Sequence, residues 1–122
     1  MKAKKAWGLT QCLESNSVLE FHRIEVSQGG YCSKHKHVHK WNGFFVESGL
    51  LLVKVWWTDN LPTEKVLSPG QYTKVPPGFF HQFQALEPTV AFENYWCEMP
   101  MVDIVREQES DPAVSANSDQ SL

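Results

Sequence analysis

Polar and apolar residues alternate with a period of two along most of this chain, and no window carries the apolar spacing of a helix. Val18–Val26 (VLEFHRIEV) alternates and closes on the turn Ser27-Gln28-Gly29-Gly30. Lys34–Lys40 alternates His with Lys or Val, which also reads as a strand. Phe44-Phe45-Val46 is a short apolar strand closed by Glu47-Ser48-Gly49. Leu50–Trp57 (LLLVKVWW) is the strongest strand signal, rich in β-branched and aromatic residues. After the turn Asp59-Asn60-Leu61-Pro62 come Glu64–Leu67, the turn Ser68-Pro69-Gly70, and Gln71–Val75, stopped by Pro76-Pro77-Gly78. His81–Leu86 and Thr89–Cys97 complete the set on either side of Glu87-Pro88. The pattern predicts eight or nine strands at 8–12-residue spacing, hence an all-β antiparallel sandwich or barrel.

A chain of 122 residues suffices for one such domain. Beyond Arg106 the sequence EQESDPAVSANSDQSL lacks aromatic residues and apolar periodicity. It cannot bury enough surface to offset its ordering entropy, so the expectation is a single domain over 1–106 and a disordered acidic, polar tail over 107–122. That tail carries four acidic and no basic residues, a charge of −4, whereas residues 1–106 carry 11 basic and 10 acidic groups, a charge of +1. A body so close to neutral has no footprint for nucleic acid, and the run Lys2, Lys4, Lys5 reads as a short solvated terminus. The longest apolar stretch, Gly49–Val53, ends at Lys54, far short of the ~20 residues a bilayer requires. The basic start is not followed by an apolar segment of the signal-peptide kind. Cys12, Cys32 and Cys97 are odd in number and lack CxxC spacing, which suits free thiols in a reducing compartment. A cytoplasmic protein that binds neither membrane nor nucleic acid is the expectation.

The chemistry of the chain is concentrated in its histidines. His35, His37 and His39 alternate, so on a strand they leave one face about 6.6–7 Å apart. His81 follows Pro76-Pro77-Gly78, where a tight turn hands the chain to another strand. A metal site requires neutral imidazoles brought from different strands into one pocket. The same run also reads as a solvated edge strand whose Lys and His residues resist aggregation. His22 has no partner in the pattern and reads as a surface or packed residue.

The spacing around these residues resembles the cupin superfamily. Gly29, His35, His37, Asn42 and Gly49, separated by five, one, four and six residues, are similar to the first cupin motif. Gly70, Pro76, Gly78, His81 and Ala85, separated by five, one, two and three residues, are similar to the second. The motif glycines fall at turns, and Pro76 and Pro77 fix φ before the turn that presents His81. The resemblance covers residues 29–85 and implies an antiparallel double-stranded β-helix, the jelly-roll cupin barrel. It also implies a divalent ion held by His35, His37 and His81. The chain departs from the motifs twice. Asn42 stands where the first motif has a glutamate, and Ala85 where the second has an asparagine. An amide oxygen coordinates more weakly than a carboxylate and brings no charge, so Asn42 is a weak fourth ligand. His39 is a candidate for that missing ligand or for a catalytic acid–base group, or else an outer-rim residue. A weaker resemblance links Ala6-Trp7-Gly8, His37-Val38-His39-Lys40, Val46-Glu47-Ser48-Gly49 and Asp103-Ile104-Val105-Arg106 to the cupin domain of type II mannose-6-phosphate isomerases and nucleotide-sugar pyrophosphorylases.

Parity puts His81, Phe83 and Ala85 on one face of their strand. With Phe44 and Tyr72 they are the expected lining of a pocket beside the ion. On the last strand Glu93, Tyr95 and Cys97 share a parity opposite to Phe92, Asn94 and Trp96, and the sequence does not say which set faces inward. Trp56 and Trp57 must point opposite ways, so one is expected outside, where it fits a homodimer contact. The implied function is a metal-binding cupin that holds a divalent ion (Zn, Ni, Mn or Fe) and a small polar, anionic or sugar-like ligand. As an enzyme it would be an isomerase, an epimerase or a dioxygenase. The alternative is a non-catalytic binding module with a weakened or absent metal site.

Overall fold

A computed structural model describes residues 2–98 and 103–108. Among them nine strands form: β1 (Lys2–Lys5), β2 (Gly8–Ser15), β3 (Leu19–Val26), β4 (Trp41–Ser48), β5 (Leu51–Trp56), β6 (Thr63–Leu67), β7 (Tyr72–Val75), β8 (Phe80–Ala85) and β9 (Thr89–Trp96). No helix among the described residues is long and apolar enough to cross a membrane. The strands build a six-stranded antiparallel sheet in the order β1-β2-β3-β9-β4-β7 and a three-stranded antiparallel sheet in the order β6-β5-β8. The two sheets close on each other as a jelly-roll barrel.

The core lies between the sheets, as alternating patterns on both demand. From the large sheet come Ile24 and Val26, Phe44 and Val46, Val75 and Ala91. From the small sheet come Leu51, Val53 and Val55, with Leu67, Phe83 and Ala85. The burial of β5 alternates strictly, so LLVKVW buries one face and leaves Leu52, Lys54 and Trp56 half-exposed. Turn glycines hold the ends together. Gly49 sits at φ +94° between β4 and β5, and a Cβ there would run into the backbone of Pro88 and Thr89.

Two segments differ from the sequence reading. The Lys2–Lys5 run is solvated as expected, but it is also an edge strand paired with β2, its exposed lysines blunting a free edge. Neither β1 nor β2 is announced by clean alternation, because β2 lies near the sheet edge and contains a bulge between Cys12 and Glu14. Conversely, Lys34–Lys40 is not a strand. It forms the single bridge His35↔His81 and otherwise runs irregularly. Lys34 and Lys36 face outward onto aromatic rings, Lys34 Nζ 4.2 Å from the Trp56 ring centroid and Lys36 Nζ 4.8 Å from that of Phe80. Of the predicted tail, Glu107 and Gln108 are exposed, and the rest lies outside the described residues.

Candidate metal centre

One end of the barrel opens into a cavity of about 500 Å³. Its two walls come from different sheets. The first wall is the irregular segment carrying His35 and His37, which lies against β8. His81, only 1% exposed, sits beneath the two. Backbone bonds fasten this wall at three points: His35 N donates to His81 O (3.1 Å), His81 N to His35 O (2.8 Å), and Gly78 N to His37 O (2.8 Å). The turn before β8 thereby holds one histidine while it presents another. Gly78, at φ +93°, adopts the left-handed conformation this turn requires.

The three imidazoles converge. Ring centroids lie 5.1 Å (His35–His37), 4.7 Å (His35–His81) and 5.4 Å (His37–His81) apart, and one ligand atom from each falls within 4.8 Å of the other two. Nitrogens sharing one tetrahedral ion stand roughly 3.4 Å apart, so small ring rotations suffice to bring them onto it.

Their hydrogen bonds decide what the cluster can hold. His35 Nδ1 is 2.7 Å from Ser33 O, and His81 Nδ1 is 3.0 Å from Phe79 O. Carbonyls only accept, so both Nδ1 atoms carry the proton, and in a neutral ring the lone pair is then on Nε2. His37 Nε2 is buried without a hydrogen-bond partner. Burial pushes the His81 ring pKa down to about 4, and burial followed by the neighbouring His35 lowers that of His37, so both are neutral at physiological pH. A neutral His81 then has nothing to donate through Nε2, yet Asn42 Oδ1 stands 2.9 Å from it, while Asn42 Nδ2 donates to Asn94 O at 3.2 Å. Two buried acceptors face one another, with the unpartnered His37 Nε2 nearby. A cation is the partner the two acceptors lack.

The opposite wall belongs to the large sheet. Glu20 and His22 come from β3, Glu93 and Tyr95 from β9, and Lys40 from the approach to β4. Glu20 is clamped by both neighbours: Lys40 Nζ lies 3.0 Å from one oxygen and His22 Nε2 3.2 Å from the other. These contacts, Lys40 foremost, hold its carboxyl below the usual range. Glu93 is 6% exposed; burial raises its pKa, while the Tyr95 hydroxyl and, beyond it, His22 and Asn42 favour its ionised form. Burial and the adjacent Glu93 push the Tyr95 hydroxyl well above its ordinary value. The His22 ring stands edge-on to Tyr95 at 5.9 Å, and Tyr95 reaches across to His37 at 4.7 Å.

The structure thus brings His35, His37, His81 and Asn42 together. It does not bring His39 to them. With no strand to carry the alternation past His37, His39 turns out to solvent, an outer-rim residue. Phe83 lines the cavity, edge-on to Trp7 at 5.1 Å. Phe44 packs beneath, 6.4 Å from His81 and 6.0 Å from Phe83. Two expected pocket residues lie elsewhere. Ala85, fully buried, belongs to the core below the cavity, where its backbone pairs with Gly29 and Gly30. Tyr72 is 45% exposed, because β7 turns Val75 inward and Tyr72 outward, into an aromatic cleft with Phe21, Phe45 and Phe92 on the sheet's outer face. The second wall went unread in the sequence. His22 seemed isolated, and the inward parity of Glu93 and Tyr95 was open; β9 buries Glu93 because it pairs between β3 and β4 at the centre of the large sheet.

No family model matches the chain, and no curated protein matches it in sequence. Solved structures do match. KdgF from Halomonas sp. superposes with a TM-score of 0.69 at 17% identity, covering 82% of this chain and 88% of that one. A cupin superfamily protein from Desulfitobacterium hafniense gives 0.65 at 12% identity, over 80% and 84% of the two chains. The chain has the cupin fold. HppE in its Fe(II) form gives 0.65 at 18% identity, over 79% of this chain and 55% of HppE.

Proposed function

We propose that this cupin is a divalent-metal centre that captures and polarises a small polar ligand at the mouth of the barrel. The observation that carries this reading is the convergence of three imidazoles beside the Asn42 oxygen, with His35 and His81 committing Nδ1 to backbone carbonyls and turning His81 Nε2 onto Asn42 Oδ1. His35, His37 and His81 would hold the ion, and Asn42 would face it as the weak fourth group. A bound divalent ion would supply Lewis-acid polarisation of a ligand oxygen. Histidine and amide donors suit zinc, nickel, manganese or iron, and the likeness to Fe(II) HppE supports iron among them.

The second wall suits a ligand with hydroxyl or carboxyl groups. Glu20, His22 and Tyr95 offer both donors and acceptors across the cavity from the histidines, the equipment for proton movement in isomerisation or epimerisation. The exposed aromatic cleft of Phe45 and Tyr72, with the half-exposed Trp57, supports self-association as a homodimer. Competition titration of tag-free, metal-stripped protein tests the metal reading. One equivalent of zinc or cobalt per chain is expected, and failure to bind either ion overturns it.

A further inference from the structure

The edge hairpin β1–β2 supplies a third side of the cavity, and its register decides which of the first lysines takes part. Lys5 pairs with Gly8 and Ala3 with Thr10; Gly8 and Thr10 pair in turn with Val26 and Ile24, which are buried in the core. Residues directly opposite one another share a face. Lys5 therefore stands on the inward face of β1, while Lys2 and Lys4 stand on the outward one. Lys5 accordingly lines the rim of the cavity, with Trp7 and Thr10 beside it. Trp7 is fixed there: its carbonyl accepts from Ser27 N at 2.9 Å, and its ring meets Phe83 edge-on at 5.1 Å.

The cavity is long. The row of Lys5, Gly8↔Val26, lies four residues along the strands from the row Cys12↔His22, roughly 13 Å at the rise of a strand. Its charges are unevenly matched. Lys40 is answered by Glu20, which also engages His22. Lys5 has no ion-pair partner among the described residues. Outward lysines on an edge strand guard against pairing with another chain, and Lys2 and Lys4 already do so. A cation turned inward beside Trp7 and Phe83 is placed to meet an anion that enters the cavity. A lone lysine suits a carboxylate, since a phosphate draws several donors at once.

We infer that Lys5 is the anion seat of the ligand site: the ligand is an elongated acid that offers an oxygen to the metal centre at one end and a carboxylate to Lys5 at the other, its body lying along Trp7 and Phe83. The inference rests on the metal reading and deepens it by naming the ligand class. An ion held by neutral imidazoles and an amide keeps its positive charge, so the two ends of the cavity favour the same anionic class. Lys5 determines specificity and takes no part in holding the ion.

The test is calorimetric titration of the cobalt-loaded full chain with the straight-chain dicarboxylates from malonate to suberate, each beside the monocarboxylate of matching length. Wild type, Lys5→Met and Lys4→Met are compared. The wild type should prefer one dicarboxylate length. Lys5→Met should weaken that dicarboxylate about three- to fivefold, as expected of a partly solvated ion pair. It should leave the matching monocarboxylate unchanged and take up cobalt as the wild type does. Lys4→Met removes the same charge from the outward face and should bind both probes as the wild type does. Three results overturn the inference and leave the histidine centre standing: no dicarboxylate binding by the wild type, an equal effect of Lys5→Met on both probes, or an equal effect of Lys5→Met and Lys4→Met. Failure of the wild type to take up cobalt overturns the centre, and the inference with it.

Discussion

The two walls of the cavity reach similar burial by different means. The histidine wall is a short, irregular segment, tied to β8 by a few backbone bonds and to the outer aromatic face by Lys34 and Lys36. The acidic wall is regular sheet: β3 and β9 pair without interruption from Leu19↔Trp96 to Val26↔Thr89. Irregular backbone lets three imidazoles crowd a single point, which a flat pleat cannot do at i, i+2 spacing. Regular backbone holds charged groups in fixed register, so that Glu20 meets both Lys40 and His22. One wall is shaped to bind an ion and the other to hold hydrogen bonds.

Substitutions on each wall can break this contrast. The largest effect is expected from His81→Ala. It removes a ligand and leaves Phe79 O without the His81 Nδ1 donor, so metal affinity should fall by more than the roughly 100-fold seen for outer partners. Stability of the metal-free protein should fall by about 1–3 kcal/mol as the Phe79 carbonyl loses its donor. Calorimetric titration and thermal melts measure both. Metal binding that survives this change would remove His81 from the centre.

Smaller effects follow for residues that only hold a wall in place. Lys34→Ala and Lys36→Ala remove cation–π seats worth about 0.5–1 kcal/mol each. If those seats position the histidines, each change should weaken metal binding by about two- to fivefold. Unchanged affinity would mean that the backbone bonds alone fix the segment. On the facing wall, Glu20→Gln should leave metal affinity within about twofold and cost less than ~1 kcal/mol, because its ion pairs are partly solvated. A large loss of metal affinity there would merge the two walls into one site and erase the distinction.

The same contrast explains what could be read from the sequence. Strands β3 to β9 were legible because alternation, β-branched and aromatic runs and Gly/Pro turns mark them; β5, an almost wholly apolar run, buries alternate residues in the structure. The edge strands β1 and β2 were not, since an edge strand with a solvated face and a bulge has no apolar alternation to show. The histidine wall was legible in composition because its residues are close in sequence and at motif spacing. Its conformation was not, for alternating His and Lys look the same on a strand and on an irregular segment with outward lysines. His39 was carried one step too far by that assumption, and Tyr72 by an undetermined parity. The acidic wall was invisible for a different reason. Glu20, His22, Glu93 and Tyr95 are brought together by the β3–β9 register, and pairing between strands some seventy residues apart in sequence leaves no local signal.

The claim on which the rest depends is that a cation is what the facing acceptors lack. An anomalous difference map from crystals of the tag-free protein soaked in cobalt or zinc addresses it directly. A single peak enclosed by His35, His37 and His81, beside Asn42 Oδ1, is the predicted result. Density confined to the Glu20–Glu93 wall, or no peak anywhere in the cavity, would contradict the account.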